Sequence, residues 1–168
     1  MIRNSFLKKI DNRSNHRLLL WYALRATKGK VVEYGSGEGS TQYLRGYCKD
    51  AKREFETYDY SPEYAKMNDS TLIRDWDSIK PFGSVILIDH SPGGRRHVDI
   101  KRLAANFDIM VIHDSEPTGG GDYKLEPLWS MFKYRVDVKS EGAWATAVSN
   151  TIDLKGFKGK KFGKYKID

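Results

Sequence analysis

The sequence predicts an α/β fold, an open and mostly parallel sheet with helices on both faces and an antiparallel strand pair at the end. Three observations predict it. Short apolar, β-branched runs alternate along the chain with segments of helical periodicity, the pattern of successive βαβ units. One run, residues 84–88 (SVILI), is apolar on both faces and so belongs in the centre of a parallel sheet. Residues 134–138 and 144–148 read as two strands joined by Ser140-Glu141-Gly142, a hairpin with a tight turn.

Length and composition bound the rest. The chain has 168 residues, enough for one domain with a real core. No apolar run approaches the ~20 residues of a membrane span. Lys8, Lys9, Asp11, Arg13 and Arg17 interrupt any block that would resemble a signal peptide. The single cysteine, Cys48, excludes a disulfide framework and a thiolate metal cluster, and reads as a packed, inert thiol. These features fit a cytoplasmic protein with no membrane partner. The formal net charge of +7 lies at the two ends. Residues 1–30 carry eight Lys/Arg against Asp11, and residues 151–168 carry six lysines against Asp153 and Asp168. The stretch between them is mildly acidic, with fifteen basic and nineteen acidic residues. Two basic ends offer a surface to a nucleic acid or another polyanion, and equally describe a solvated lysine-rich surface.

Taken in order, residues 5–27 have apolar side chains at three- and four-residue steps and read as a helix stopped by Gly29, a helical cap over residues 1–29. Lys30 to Thr41 (KVVEYGSGEGST) reads as a buried strand that runs into a glycine turn, with Ser40 and Thr41 opening a helix. Gly35, Gly37 and Gly39 let backbone N–H groups approach a ligand with no Cβ in between, and Glu33 sits at the lip of the turn. A dinucleotide-binding turn would place its third glycine where Ser40 stands, which ranks a nicotinamide enzyme last. Residues 40–51 follow as a helix with Tyr43, Leu44 and Tyr47 inward, and residues 54–60 as a strand ending at Asp59. Ser61-Pro62-Glu63 opens the next helix. Asp59 closes the second strand, placed to accept hydrogen bonds from two ribose hydroxyls, a reading the glycine turn upstream favours over a plain helix cap. Tyr60 beside it can lie along a purine ring. Residues 70–74 form a short third strand before Asp75-Trp76-Asp77.

The fourth strand, residues 84–88, ends in Asp89-His90, followed by Ser91-Pro92-Gly93-Gly94-Arg95-Arg96. A helix over residues 95–106 leads to a fifth strand, 108–112, which ends in His113-Asp114. Two adjacent buried strands therefore each deliver an acid and a histidine to the carboxyl edge of the sheet, where ligands bind in open α/β folds. Residues 118–122 (TGGGD) read as a loop able to act as a lid, residues 123–134 as a helix, and the basic tail, residues 151–168, as loosely ordered over residues 156–166.

Glu33-Tyr34-Gly35-Ser36-Gly37-Glu38-Gly39, with the second-strand acid, the third-strand acid and the final hairpin in the same order, resembles the class I S-adenosylmethionine-dependent methyltransferases. The resemblance covers residues 30–150 and implies a Rossmann-like three-layer sandwich around a mostly parallel seven-stranded sheet. It implies S-adenosyl-L-methionine as cofactor, its methionine end held by Gly35, Ser36, Gly37, Gly39 and Ser40 with Glu33, its ribose by Asp59 and its adenine by Asp75, with Tyr60 and Trp76 alongside. Within the family, Asp89-His90, Arg95-Arg96 and His113-Asp114 look like the small metal-assisted O-methyltransferases, in which acids ending the fourth and fifth strands hold a divalent cation, usually magnesium (Mg2+). Asp89 and Asp114 match those positions. Ser115 stands where a third oxygen ligand is usual, and Pro92 where those enzymes carry a lysine base. His90 or His113 can then act as the base without a metal. On this reading Asp89, His90, His113 and Asp114 form the acceptor side, Arg95 or Arg96 meets an anionic substituent, and the acceptor is a small molecule or glycan. The alternatives are an RNA-directed methyltransferase, a protein that cleaves S-adenosylmethionine, and a non-catalytic cofactor-binding module.

Overall fold

The structure is a computed structural model that describes residues 6–117 and 123–168; the glycine-rich loop read as a lid, residues 118–122, lies outside them. The helices are α1 (His16–Ala26), α2 (Thr41–Asp50), α3 (Pro62–Asn68) and α4 (Arg96–Leu103). The main strands are β1 (Val31–Tyr34), β2 (Phe55–Asp59), β3 (Thr71–Leu72), β4 (Gly83–Ile88), β5 (Phe107–His113), β6 (Tyr134–Val138) and β7 (Ala145–Ser149). They form one seven-stranded sheet in the order β3-β2-β1-β4-β5-β7-β6. All pairs are parallel except those of β7, which runs antiparallel to both β5 and β6. The expected parallel sheet with a terminal antiparallel pair is what the chain adopts. None of the described helices is long and apolar enough to cross a membrane.

The period-2 geometry of strands explains the two cores. In β1, β4 and β5 the residues Val31, Val85, Leu87, Ile109 and Val111 face one layer, and Val32, Tyr34, Ile86, Ile88, Met110 and Ile112 face the other. The register aligns them, Val31 with Val85 and Val85 with Ile109. The first layer is closed by Leu18, Leu19, Trp21, Ala23 and Leu24 of α1 and by Leu44 and Cys48 of α2. The second is closed by Ile100 and Leu103 of α4 with Trp76, Leu128 and Trp129. Each valine, leucine, isoleucine or methionine among them contributes about 1.5–3 kcal/mol when fully buried. Cys48 packs as expected, its thiol pushed up to about 11 by burial.

Three local expectations are corrected. The helix read over residues 5–27 is regular only from His16, because Asp11 and Ser14 form a closed turn. Ser14 Oγ donates to Asp11 Oδ1 at 2.8 Å, and the Asp11 N–H returns to Ser14 Oγ at 3.0 Å. The segment read as a helix over 123–134 is a 3-10 helix, Glu126–Met131, with a proline in its first turn. The tail is ordered. Its hairpin, β8 (Lys161–Phe162) and β9 (Tyr165–Lys166), turns back so that Ile167 bridges Val138 on the edge strand β6. Leu154, Phe157, Tyr165 and Ile167 are buried in the first core with Phe6, Leu7 and the α1 residues, so side chains from both ends of the described chain share a core with the sheet between them.

Candidate functional site

Strand order reverses between β1 and β4, so the connections leave them in opposite directions and a crevice opens at their carboxyl ends. The glycine turn lies there. Gly35 has φ +91, and a Cβ on it would stand 2.4 Å from the Asp89 carbonyl oxygen. Gly35 is therefore a glycine because the exit of β1 lies against the backbone that leaves β4. A Cβ on Gly37 would meet nothing within 4 Å. A Cβ on Gly39 would stand 3.4 Å from the Arg13 carbonyl oxygen and 3.5 Å from His16 Cε1.

The turn is fixed from within. The N–H groups of Gly35, Ser36 and Gly37 donate to the Tyr58 carbonyl (2.9 Å), Asp59 Oδ2 (2.7 Å) and Thr41 Oγ1 (2.8 Å). These donors, expected to meet a ligand, are spent on the protein. Glu33, expected at the lip, lies wholly beneath the turn, accepting from Ser40 Oγ at 2.5 Å and Thr57 Oγ1 at 2.7 Å. Burial outweighs those two hydrogen bonds and raises its carboxyl to about 7.

The turn floors a cavity of about 590 Å³. Gly35, Ser36, Gly37, Gly39 and Ser40 line it, with Asp59, Ser61, Tyr64, Met67 and Asn68 on one side and Asp89, Ser91, Arg13 and His16 on the other. Asp59 stands at the end of β2 as expected and also clamps the site. Its Oδ2 takes both the N–H and Oγ of Ser36, and its Oδ1 takes the Ser61 N–H at 2.8 Å. Oδ1, with a single protein donor among these bonds, keeps lone-pair capacity for a ligand. Three expected cofactor contacts do not line the cavity. Tyr60 is 47% exposed on the surface. Asp75 is exposed and accepts from the Asp77 N–H, starting a 3-10 turn. Trp76 is a core residue, with its ring 4.5 Å from Tyr34 and 4.3 Å from His90 and its Nε1–H donating to the Ser91 carbonyl.

The ends of β4 and β5 bring Asp89, His113 and Asp114 together. His113 Nδ1 lies 3.3 Å from Asp89 and 3.5 Å from Asp114. Burial alone would lower the imidazole, but the two carboxylates prevail and raise it. Burial would likewise raise Asp89, and His113 with Arg96 holds it low instead. His90 is not part of this group. It is fully buried between Tyr34 and Trp76, and its Nε2 meets Asp99 at 3.0 Å. Burial lowers it against the pull of Asp99. Neither arginine is available to an acceptor's anionic group. Arg95 pairs with Asp77 and Asp99. Arg96, 6% exposed, reaches the carbonyls of His90 and His113 and pairs with Asp89 and Asp114 at 3.1 Å each.

The number of free oxygen donors decides the magnesium question. A hard cation held by Asp89 and Asp114 needs several oxygen ligands. Here the two carboxylates are bridged by Arg96, Ser115 Oγ is engaged with Thr146 at 2.7 Å, and Glu116 accepts from the Trp144 N–H. The residues do not fit the expected magnesium site.

Sequence reading missed His16, Arg13 and the α3 side chains Tyr64, Met67 and Asn68. His16 is 1% exposed, its ring centroid 4.5 Å from that of His113, and burial with the neighbouring His113 lowers it to about 3. No local signal marks it, because its neighbours come from β4, β5 and the glycine turn. For α3 a signal existed: Tyr64 and Met67 are three apart and exposed on a helix that begins just after Asp59, at Pro62.

No protein-family model matches the sequence, and no curated sequence is recognisably related to it. Solved structures are similar. A S-adenosylmethionine-dependent methyltransferase from Archaeoglobus fulgidus superposes with a TM-score of 0.57 at 10% identity, over 88% of this chain and 98% of that one. The O-methyltransferase TomG from Streptomyces achromogenes, involved in tomaymycin synthesis and solved with S-adenosylmethionine, gives 0.57 at 11% identity, over 83% and 81%. The 16S rRNA N2 G1207 methyltransferase RsmC of T. thermophilus, with cofactor and guanosine, gives 0.52 at 10%, over 82% of this chain and 39% of that one. The chain has the class I S-adenosylmethionine-dependent methyltransferase fold. At such identities the likeness concerns the fold alone.

Proposed function

We propose that this protein is an S-adenosylmethionine-dependent methyltransferase acting on a hydroxyl of a small molecule or sugar. The observation that carries the reading is the 590 Å³ cavity at the switch point, floored by the glycine turn, with Asp59 at one side and Asp89 at the other. S-adenosylmethionine supplies a methyl group already activated on a sulfonium. The Gly37–Gly39 side of the turn receives the amino-acid end, and Asp59 Oδ1 accepts from ribose. Tyr64 and Met67, at the α3 wall, cover the nucleoside in place of Tyr60 and Trp76. The acceptor enters over Asp89, backed by His113 and Asp114. Its oxygen forms the C–O bond as the C–S bond breaks, the electron pair stays on sulfur, and the hydroxyl proton leaves toward that cluster. The chain's task is alignment and proton removal, since the leaving group needs no help.

The test is calorimetric titration of S-adenosylmethionine, and of S-adenosylhomocysteine, into the protein and into Gly37→Leu. The leucine side chain projects into open space, so the fold survives and the cavity fills. Micromolar binding to the parent, lost in a folded Gly37→Leu, supports the reading. No binding of either ligand to the parent overturns it.

A second reading takes a nucleic acid as acceptor. Arg13 lines both the cofactor cavity and a neighbouring hollow of about 360 Å³ that contains Lys164 and Tyr165 of the basic hairpin. A polyanion on that hairpin would pass the cavity mouth. RNA binding whose affinity falls steeply with salt favours this reading, and none at low salt removes it.

A further inference from the structure

The observation left over is a buried histidine, His16, whose two ring nitrogens have nothing to bond. Among the described residues, neither Nδ1 nor Nε2 of His16 has a hydrogen-bond partner. His16 is 1% and His113 6% exposed. Leaving buried imidazole nitrogens unpaired is unfavourable, and native proteins rarely do so without a reason. The three donors of His16, Asp89 and His113 lie within 4.8 Å of one another, the only such group of three or more among the described residues. A tetrahedral ion with bonds of about 2.0–2.1 Å sets its ligands about 3.3 Å apart. His113 Nδ1 and the Asp89 oxygens are already 3.3 Å apart.

We propose that His16, Asp89 and His113 form a binding site for one divalent transition-metal ion of the zinc class at the edge of the cofactor cavity. Two imidazoles and one carboxylate suit a borderline cation such as Zn2+ or Co2+, and disfavour magnesium, which demands oxygen ligands. The ligands come from three places, the first turn of α1 and the ends of β4 and β5, so the site exists only in the folded chain. Arg96 holds one Asp89 oxygen at 3.1 Å and the Asp114 carboxylate beside it, which orients the donors from behind. His16 and Asp89 both line the cavity, so the open coordination position faces it. Three protein ligands with an open position is the arrangement of a catalytic zinc centre. An acceptor hydroxyl bound there would lose its proton near neutral pH. That catalytic use rests on the methyltransferase reading, whereas the metal binding does not.

The experiment uses the full chain, stripped with chelator and dialysed. Zn2+ is titrated with detection by calorimetry and metal analysis, and Co2+ by its visible absorption. One ion per chain is expected, unaffected by millimolar magnesium, with a Co2+ spectrum of low coordination number. His16→Ala should weaken Zn2+ binding by at least about 100-fold. His113→Ala should do the same, and His97→Ala, which removes a half-buried histidine on α4 outside the site, should leave binding unchanged. The parent's thermal midpoint should rise with Zn2+ and that of His16→Ala should not. Failure of the parent to bind Zn2+ or Co2+ overturns the proposal without reference to any variant. Equal binding in a folded His16→Ala overturns it as well. S-adenosylmethionine titration of the same samples keeps the two readings apart: cofactor binding without metal binding sinks only the metal site, and the converse sinks only the cofactor reading.

Discussion

At the scale of single residues, the site is built from side chains held in states that solvent would not favour. Glu33 is the clearest case. Its carboxyl titrates near 4.5 when exposed and near 7 beneath the turn, with Ser40, Thr41 and Thr57 as hydrogen-bonding neighbours and the charge of Asp89 raising it further. Folding therefore takes up a proton between these values. The resulting stability is complete below pH 4.5 and is lost as pH rises through 7, when the ionised carboxylate is buried. Urea unfolding at pH 5 and pH 8 should show the parent losing about 2–3 kcal/mol more than Glu33→Gln. Parallel losses in the two proteins would mean that Glu33 stays ionised throughout. Gly35 makes a second residue-scale case, because alanine there must adopt φ +91 and press its Cβ on the Asp89 backbone. Gly35→Ala should lower stability by about 2–4 kcal/mol. An unchanged urea midpoint would show that β1 and β4 separate freely at their ends. The glycines were legible in the sequence, since spacing alone announces a turn. Glu33 was legible as important and misplaced, because sequence gives no sign that its side chain turns under the loop and away from the ligand.

At the scale of elements, what joins the strand ends matters more than the strands themselves. The strands were readable from their apolar runs, and so was the helix opened by Ser61 and Pro62, whose cap Ser61 makes by accepting from the Tyr64 N–H. The helix linking β4 to β5 was readable too, but the task of its first residue was not. Arg96 begins α4, and its guanidinium reaches two carbonyls and two carboxylates on neighbouring strands. In sequence it is one of two adjacent arginines that open a helix after a glycine pair, and it reads as a contact for an anionic group of the acceptor. Only the return of α4 over the sheet turns one of them inward. Arg96→Met keeps the aliphatic stem and leaves Asp89 and Asp114 without their shared cation. It should cost about 3 kcal/mol by urea unfolding, and should release Asp89 so that His113 loses its fixed orientation. An intact urea midpoint in Arg96→Met would mean that solvent, and not Arg96, holds the two acids.

At the scale of the molecule, the two chain ends are what the sequence described least well. Both are basic, and charge dominates a reading by composition, so both were read as additions to a central domain. Their apolar residues are fewer but well placed. Phe6 packs edge-on to Tyr43 and Tyr47, with ring centroids 6.1 and 5.9 Å away. Tyr165 Oη donates to Asn12 Oδ1 at 2.8 Å, which ties the tail to the turn that precedes α1. That turn carries Arg13 to the cavity, and α1 then delivers His16 to the strand ends. The tail thus supports the segment that completes the site. Ile167 is the point to test, being fully buried and paired across from Val138 on the sheet's edge strand. Ile167→Ala should lower stability by about 2–4 kcal/mol, whereas Lys158→Ala or Lys160→Ala, on exposed positions of the same tail, should stay within about 0.5 kcal/mol of the parent. If the isoleucine variant behaves like the lysine variants, the tail is not part of the core. If it is as costly as stated, deleting residues 154–168 should weaken ligand binding at the cavity as well as stability, because the support of Arg13 and His16 goes with it.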